Sequence, residues 1–212
     1  MSVLVVAGSK GGSGKTLLSL CLSGHLARVE ADFALVDADP TKAASRWAAV
    51  VYEGKPFAHH AEEDEDRLAY LISDLRSKHR LVIVDTPGFA NLSSSVAIAS
   101  ADHVLIPCKA SEADLYEART TATKVASLAV TTRREIPARA VLNSVRATSV
   151  AGHAAQQVAE AGIETLGSTL GHRADYEALT HTGRPPHTGA AHREISALIT
   201  ELQGMGWVQQ IG

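Results

Sequence analysis

The run Gly8-Ser-Lys-Gly-Gly-Ser-Gly-Lys-Thr16 combines glycines, two lysines and a hydroxyl at a spacing that suits a phosphate chain. The apolar stretch Val3-Leu-Val-Val6 leads into it and a leucine-rich segment leaves it, so it reads as a loop between a buried strand and a helix. Glycines let backbone N–H groups close around phosphate oxygens with no Cβ in the way. The helix after the loop turns its electropositive end toward the same anion. Lys15 is then placed to reach the β- and γ-phosphates of a nucleotide, and Thr16 to give Mg²⁺ a hydroxyl ligand. Gly11, Gly12, Ser13, Gly14, Lys15, Thr16 and Leu17 are the expected nucleotide contacts. The match to G-x-x-x-x-G-K-[ST] is imperfect, because Ser9 stands at the first glycine position and Gly8 lies one residue before it.

Two more strand-like runs end in acids. Phe33-Ala-Leu-Val-Asp37 passes into Ala38-Asp39-Pro40, and Arg80-Leu-Val-Ile-Val-Asp85 passes into Thr86-Pro-Gly88. In a parallel sheet such ends lie side by side with the phosphate loop. Asp85 is expected to hold Mg²⁺ through a water, with Asp37 supporting the metal shell. Asp39 is expected to orient or deprotonate the attacking water. Taken singly, Asp37 and Asp39 suit a helix cap or a turn equally well; beside the phosphate loop the chemical reading prevails. Gly88 would let backbone approach a γ-phosphate and hinge a nucleotide-sensitive switch.

These residues need a scaffold of alternating strands and helices, and the pattern predicts one. Helices are expected over about Lys15–Val29, Thr41–Val51, Glu62–Lys78, Ala113–Thr131, Ala151–Ala161, Ala174–His181 and Ala190–Gln203. Strands are expected at Val3–Val6, Phe33–Asp37, Arg80–Asp85, His103–Pro107 and Ala138–Asn143, with a weak one near Ile163–Leu166 and a short edge strand within Glu53–His60. Regular alternation implies an α/β fold, a doubly wound and mainly parallel sheet flanked by helices in three layers. With 212 residues there is room for one such P-loop NTPase domain, expected over residues 1–212.

The run Lys10-Gly-Gly-Ser-Gly-Lys-Thr16 resembles the deviant Walker A motif of the ParA/MinD family of ATPases. The resemblance implies that Lys10 crosses an ATP-bound homodimer to touch the partner's phosphates. It assigns hydrolysis to Lys10, Lys15 and Asp39, Mg²⁺ to Thr16, Asp37 and Asp85, and a place near adenine to Asn143 at the end of Val141-Leu-Asn143. Asp37-Ala-Asp39-Pro40 matches the family's D-x-D-P element. Ile106-Pro107 and Ser111-Glu-Ala-Asp114 resemble its strand-end proline and acidic turn. Trp47 is similar to a tryptophan in the short ParA-type partition proteins, which lack an N-terminal DNA-binding domain. Thr41 departs from the pattern, since many relatives have Gln after the proline. Similarity is clear over about residues 1–143 and rests on length and helix placement beyond.

Within that family, members differ in what the ATP dimer adheres to. The tail Gly204-Met-Gly-Trp-Val-Gln-Gln-Ile-Gly212 has two interior glycines and no cation, so it suits packing on the body better than anchoring in a membrane. The resemblance implies nonspecific DNA binding through surface arginines: Arg173, Arg184 and Arg146 are the leading candidates, with Arg133, Arg134 and Arg193 behind them. A net charge of −3 gives no overall pull toward DNA, so any such contact must come from a local patch. A small ParB-like or adaptor partner that stimulates hydrolysis is implied as well, and a cytoplasmic, nucleoid-associated location. Cys21 and Cys108 form no ligand pair and are expected to be buried thiols. The histidines show no zinc spacing. Three other readings remain open on fold grounds: a metabolic enzyme of the cobyrinic acid diamide synthase or dethiobiotin synthetase type, a membrane-associated MinD-like protein, and a relative of nitrogenase iron protein. The first would need a substrate pocket, and the last cluster-ligating cysteines that Cys21 and Cys108 do not match.

Overall fold

The computed structural model describes residues 1–88, 91–146, 158 and 162–210. Six strands form its sheet: β1 (Ser2–Val6), β2 (Phe33–Asp37), β3 (Ala58–Ala61), β4 (Leu81–Asp85), β5 (His103–Cys108) and β6 (Ala138–Leu142). They lie in the order β3-β2-β4-β1-β5-β6, and every neighbouring pair is parallel. β1, β2 and β4 are continuous apolar runs ending in a polar loop because both faces are covered.

Side chains alternate between the two faces. Leu4 and Val6 pack toward α1 (Lys15–Arg28), α2 (Ala43–Arg46), α6 (Ala174–Thr182) and α7 (Gly189–Gly204). Val3 and Val5 pack toward α3 (Glu65–Lys78), α4 (Leu92–Ser100) and α5 (Glu112–Thr132). These are the three layers expected. Leu4, Leu35, Ile83 and Leu105 are wholly buried at the centre, and each such side chain contributes about 1.5–3 kcal/mol.

Local chemistry sets several helix starts. Asp64 caps α3 by accepting the Arg67 N–H at 3.0 Å, and Glu65 and Asp66 fill the electropositive first turn. Asn91 caps α4 and Ser111 caps α5 in the same manner. At α1 the cap is Gly14, in the left-handed region at φ 100°, and among the described residues no side chain takes the first N–H groups. They are left for another acceptor.

The structure departs from the sequence pattern in three places. The helix expected from Thr41 begins at Ala43, because Lys42 takes a left-handed conformation (φ 51°), and it ends in one π-helical turn, Trp47–Val51. The segment before β5, to which the pattern assigned no element, contains α4. The strand expected at Ile163–Leu166 is a single bridge between Thr165 and Ala140, since hydrogen bonds flank only Ala140 there. The helix expected over 151–161 lies outside the described residues except for Val158, which is buried.

The tail packs on the body as far as Val208. Trp207 is buried, its carbonyl accepts the Ser2 hydroxyl at 3.0 Å, and its ring stacks on His103; Ile211 lies outside the described residues. Cys21 and Cys108 are buried and unpaired, and burial pushes the Cys108 thiol up to about 11. No helix among the described residues is long and apolar enough to cross a membrane.

Candidate functional site

Register gathers the site. Val6, the last residue of β1, stands opposite Asp85, and Asp85 stands opposite Asp37, so the phosphate loop and both strand-end acids share one edge. Thr86 ties the loop after β4 to β1 through its hydroxyl, which donates to the Val6 carbonyl at 2.9 Å.

Asp85 is wholly buried and gripped by two hydroxyls of α1: Thr16 donates to Oδ2 at 2.8 Å and Ser19 to Oδ1 at 2.9 Å. Burial pushes its carboxyl up to about 7, opposed by those two hydrogen bonds and by Lys15, while Asp37 adds to the rise. A carboxylate so reluctant to ionise alone is one that a cation would hold charged.

Asp37 is also buried, and both its oxygens are taken by backbone. The Asp39 N–H donates to Oδ1 at 3.1 Å and the Ser45 N–H to Oδ2 at 2.8 Å. Burial raises its carboxyl despite these two donors. Asp37 therefore shapes the turn that carries Asp39, whose own carboxylate accepts the Thr41 N–H at 2.8 Å on the half-exposed side.

The loop is braced from within and from α5. Lys15, 6% exposed, donates to the Lys10 carbonyl at 2.9 Å, and burial lowers its pKa against the pull of Asp85 and Asp39. Asn143 donates to the Ser13 carbonyl from the end of β6. Ser9 is held by Thr121 and Glu117 of α5. Lys10 points away from the cradle, and its ammonium donates to Asp114 on α5 at 3.2 Å. Gly88 packs so closely on the loop that a Cβ there would sit 3.0 Å from the Gly11 nitrogen and 3.2 Å from its Cα.

A cleft of about 440 Å³ adjoins the loop, lined by Gly12, Gly14, Leu17, Lys109, Asn143 and Tyr176 among others. A second cavity of about 400 Å³ opens at the opposite end of β2 and β4, beside Phe33, Arg80 and Val208, remote from the strand-end acids and the loop. Chemistry selects the first. The site suits a magnesium nucleotide on its own geometry. Among the described residues Ser13 Oγ and Asn143 Oδ1 are buried with no partner, two loop glycines have positive φ, and no side chain caps the first turn of α1.

Residues 1–184 match the family described as VirC1 protein. The chain belongs to that family. Over 192 residues this VirC1-family chain is 28% identical to Protein ParA of Rhizobium radiobacter, covering 89% of itself and 86% of that protein. Its fold matches the ATP complex of a Cyanothece McdA variant with a TM-score of 0.79 at 17% identity, over 99% of this chain and 98% of that one. It matches the MinD cell division protein of Aquifex aeolicus with a TM-score of 0.78 at 19% identity, over 97% and 98% of the two chains. At those identities the structural likeness is one of fold. The resemblance to ParA/MinD proteins seen in residues 10–16 is borne out.

The VirC1-family chain does not gather its arginines at one place. Arg146 and Arg173 line one depression with Thr169, His172 and Glu194. Arg184 lines another with Arg28, Tyr52 and Lys55, where it pairs with Glu53. Arg134 is a brace, donating to the Ala99 carbonyl and to Asp102, and Arg133 ends α5 in a left-handed conformation. Arg193 is exposed on α7.

Two residues of the site, Ser19 and Glu194, escaped the sequence reading. Ser19 lies three residues after Thr16, a spacing that puts both hydroxyls on one helix face, so it was open to discovery. Glu194 was not. It accepts from the Gly171 N–H (2.9 Å), Arg173 Nε (2.9 Å) and the Tyr176 hydroxyl (2.7 Å), fixing the wall of the cleft. Burial works against its charge, yet Arg173, Gly171 and Tyr176 together hold its carboxyl below the ordinary range.

Proposed function

We propose that the chain is a ParA-like ATPase that binds and hydrolyses MgATP and forms an ATP-dependent homodimer. That dimer binds DNA without sequence preference to position a plasmid, chromosome or other cargo. The observation that carries this reading is the division of work between the loop's two lysines. Lys15 is buried in the cradle, whereas the Lys10 ammonium lies outside it on Asp114. The Lys10 side chain is 42% exposed, so solvent screening leaves its ion pair worth at most about 1 kcal/mol. A partner subunit's triphosphate, with several negative charges, can draw it away.

Gly11, Gly12, Ser13 and Gly14 would hold phosphates through backbone N–H groups, with Leu17 and Asn143 beside the nucleoside. Thr16 and Asp85 would hold Mg²⁺, with Asp37 supporting them; the ion supplies charge neutralisation on the phosphate chain. Asp39 would orient water for in-line attack on the γ-phosphate, and the two lysines would stabilise the charge of the transition state.

On the DNA side, Arg146 and Arg173 are the pair that share one surface depression. Arg173 is engaged by Glu194, so Arg146 is the more available of the two. A small ParB-like or adaptor partner would stimulate hydrolysis and release the dimer. The burial of Trp207 supports a non-membrane partner surface.

The test compares apo, Mg-ADP and Mg-ATP forms by light scattering and by retardation of unrelated duplexes across a salt series. Dimers seen with Mg-ATP alone, retarding any duplex with a steep salt dependence, are expected. Lys10→Ala is expected to stay monomeric while still binding nucleotide. A Lys10→Ala protein that dimerises and hydrolyses as the parent does removes the cross-subunit role.

A further inference from the structure

Trp47 has no part in the phosphate cradle or the magnesium shell, yet it is the largest side chain joining two walls of the site. It is 3% exposed, and its indole N–H donates to the Leu179 carbonyl of α6 at 2.9 Å. It opens the π-helical turn, in which the Tyr52 N–H reaches back to the Trp47 carbonyl. Such turns fit their hydrogen bonds less well than an α-helix does and persist where surroundings hold them.

Trp47 packs beside Gly24 of α1 and on the Tyr52 ring, and further hydrogen bonds to this segment come from the α6 side. The Glu53 N–H donates to the Gly183 carbonyl, and Arg184 pairs with Glu53. Gly183 ends α6 in a left-handed conformation so close to the Val51 carbonyl that any Cβ would overlap it. Just before the π turn, α2 supplies the Ser45 N–H that anchors Asp37, and so the turn bearing Asp39. α6 itself lines the nucleotide cleft through Tyr176 and Thr180 and is fixed independently by the bond from Tyr176 to Glu194.

We propose that Trp47 is a positioning residue, which fastens the Asp37–Asp39 turn to the cleft helix α6 so that Asp39 is held in register with the bound nucleotide. This rests on the hydrolytic role proposed for Asp39. α6 has its own anchor, and α2, seated on the sheet by Ala44, is joined to α6 through the Trp47 indole bond and the contacts of Glu53. Losing the indole N–H therefore slackens the Asp39 side and leaves the nucleotide cleft as it was.

Trp47→Phe keeps an aromatic ring and removes the donor, while the Leu179 carbonyl keeps the Gly183 N–H. The expected result is a fall in kcat of about three- to tenfold, the range one buried hydrogen bond supports. KM for ATP should stay within about twofold, as should the fraction of molecules titrating with nucleotide. A merely structural role would instead lower turnover in proportion to that fraction.

The chain has two tryptophans, so Trp207→Phe leaves Trp47 as the sole indole. Its emission is expected to differ between the complexes with Mg-ADP and with a non-hydrolysable Mg-ATP analogue. Should Trp47→Phe not fold, this second measurement carries the test. Wild-type kcat in Trp47→Phe, or identical emission in the two complexes, overturns the proposal while leaving the ATPase reading intact. A chain that binds no nucleotide overturns both.

Discussion

Replacing Asp85 by Asn should make the protein more stable and useless at once, and the size of the gain is set by burial. Asp85 has no solvent exposure, and its carboxyl is pushed from 3.8 up to about 7. For an acid whose folded pKa is raised, the folded state binds the extra proton, so its contribution to stability falls as pH climbs from about 4 to about 7 and is level above. The displacement corresponds to an upper bound on the order of 4 kcal/mol, of which relaxation around the carboxylate would leave about 1–3 kcal/mol. Asn cannot ionise and still offers an oxygen to Thr16 or Ser19. In EDTA at pH 8, Asp85→Asn should therefore melt about 2–10 °C above the parent, a gap that narrows toward pH 5. Adding Mg²⁺ with ADP should raise the parent's melting temperature and give the variant no magnesium-dependent increment. Melts monitored by circular dichroism across pH 5 to 8 decide it. A variant that melts below the parent at pH 8, or a gap independent of pH, would refute the claim that burial makes a charge costly at this position.

Contacts around the loop set two further outcomes. Gly88→Ala places a Cβ against the Gly11 backbone, which cannot swing aside as a side chain would. Overpacking of about 1–3 kcal/mol should lower the melting temperature by about 2–10 °C and, as the loop gives way, weaken nucleotide binding in calorimetry; parental values for both would show that the two loops are not in contact. Asp114→Asn removes the carboxylate that holds Lys10, so ATP-dependent dimers measured by sedimentation should tighten by up to about fivefold; weaker dimers would mean Asp114 acts across the interface itself.

The chemistry of this chain was legible where it is local, and obscure where it depends on neighbours distant in sequence. The phosphate loop and the acids Asp37 and Asp85 could be read directly, because a buried parallel strand is an apolar run and its carboxyl end must open into a loop at a known edge of the sheet. The strand order was not legible, nor the register that sets Asp37, Asp85 and Val6 in one row, since pairing is decided by packing between segments dozens of residues apart. α4 went unseen for a related reason. Leu92-Ser-Ser-Ser-Val-Ala-Ile-Ala-Ser100 carries no charge and little amphipathic rhythm, and it is helical because Asn91 caps it and Ala97 and Ile98 fill the core beneath. The π turn after Arg46 likewise has no signature in Trp-Ala-Ala-Val-Val. It packs on α6, where its indole bonds to Leu179, more than a hundred residues away.

The same distinction explains why two lysines five residues apart are not redundant. Lys15 opens α1, so the helix carries it inward between Asp85 and Asp39 and closes it against the Lys10 carbonyl. Lys10 precedes the glycines and comes directly after Ser9, which α5 grips through Thr121 and Glu117; its side chain is thereby turned outward along α5 to Asp114. Moving Lys10 toward a facing molecule requires leaving only one half-exposed ion pair. The loop's backbone thus leaves the second cation directed outward. That arrangement is the one that the proposed sharing of a nucleotide between two subunits would use.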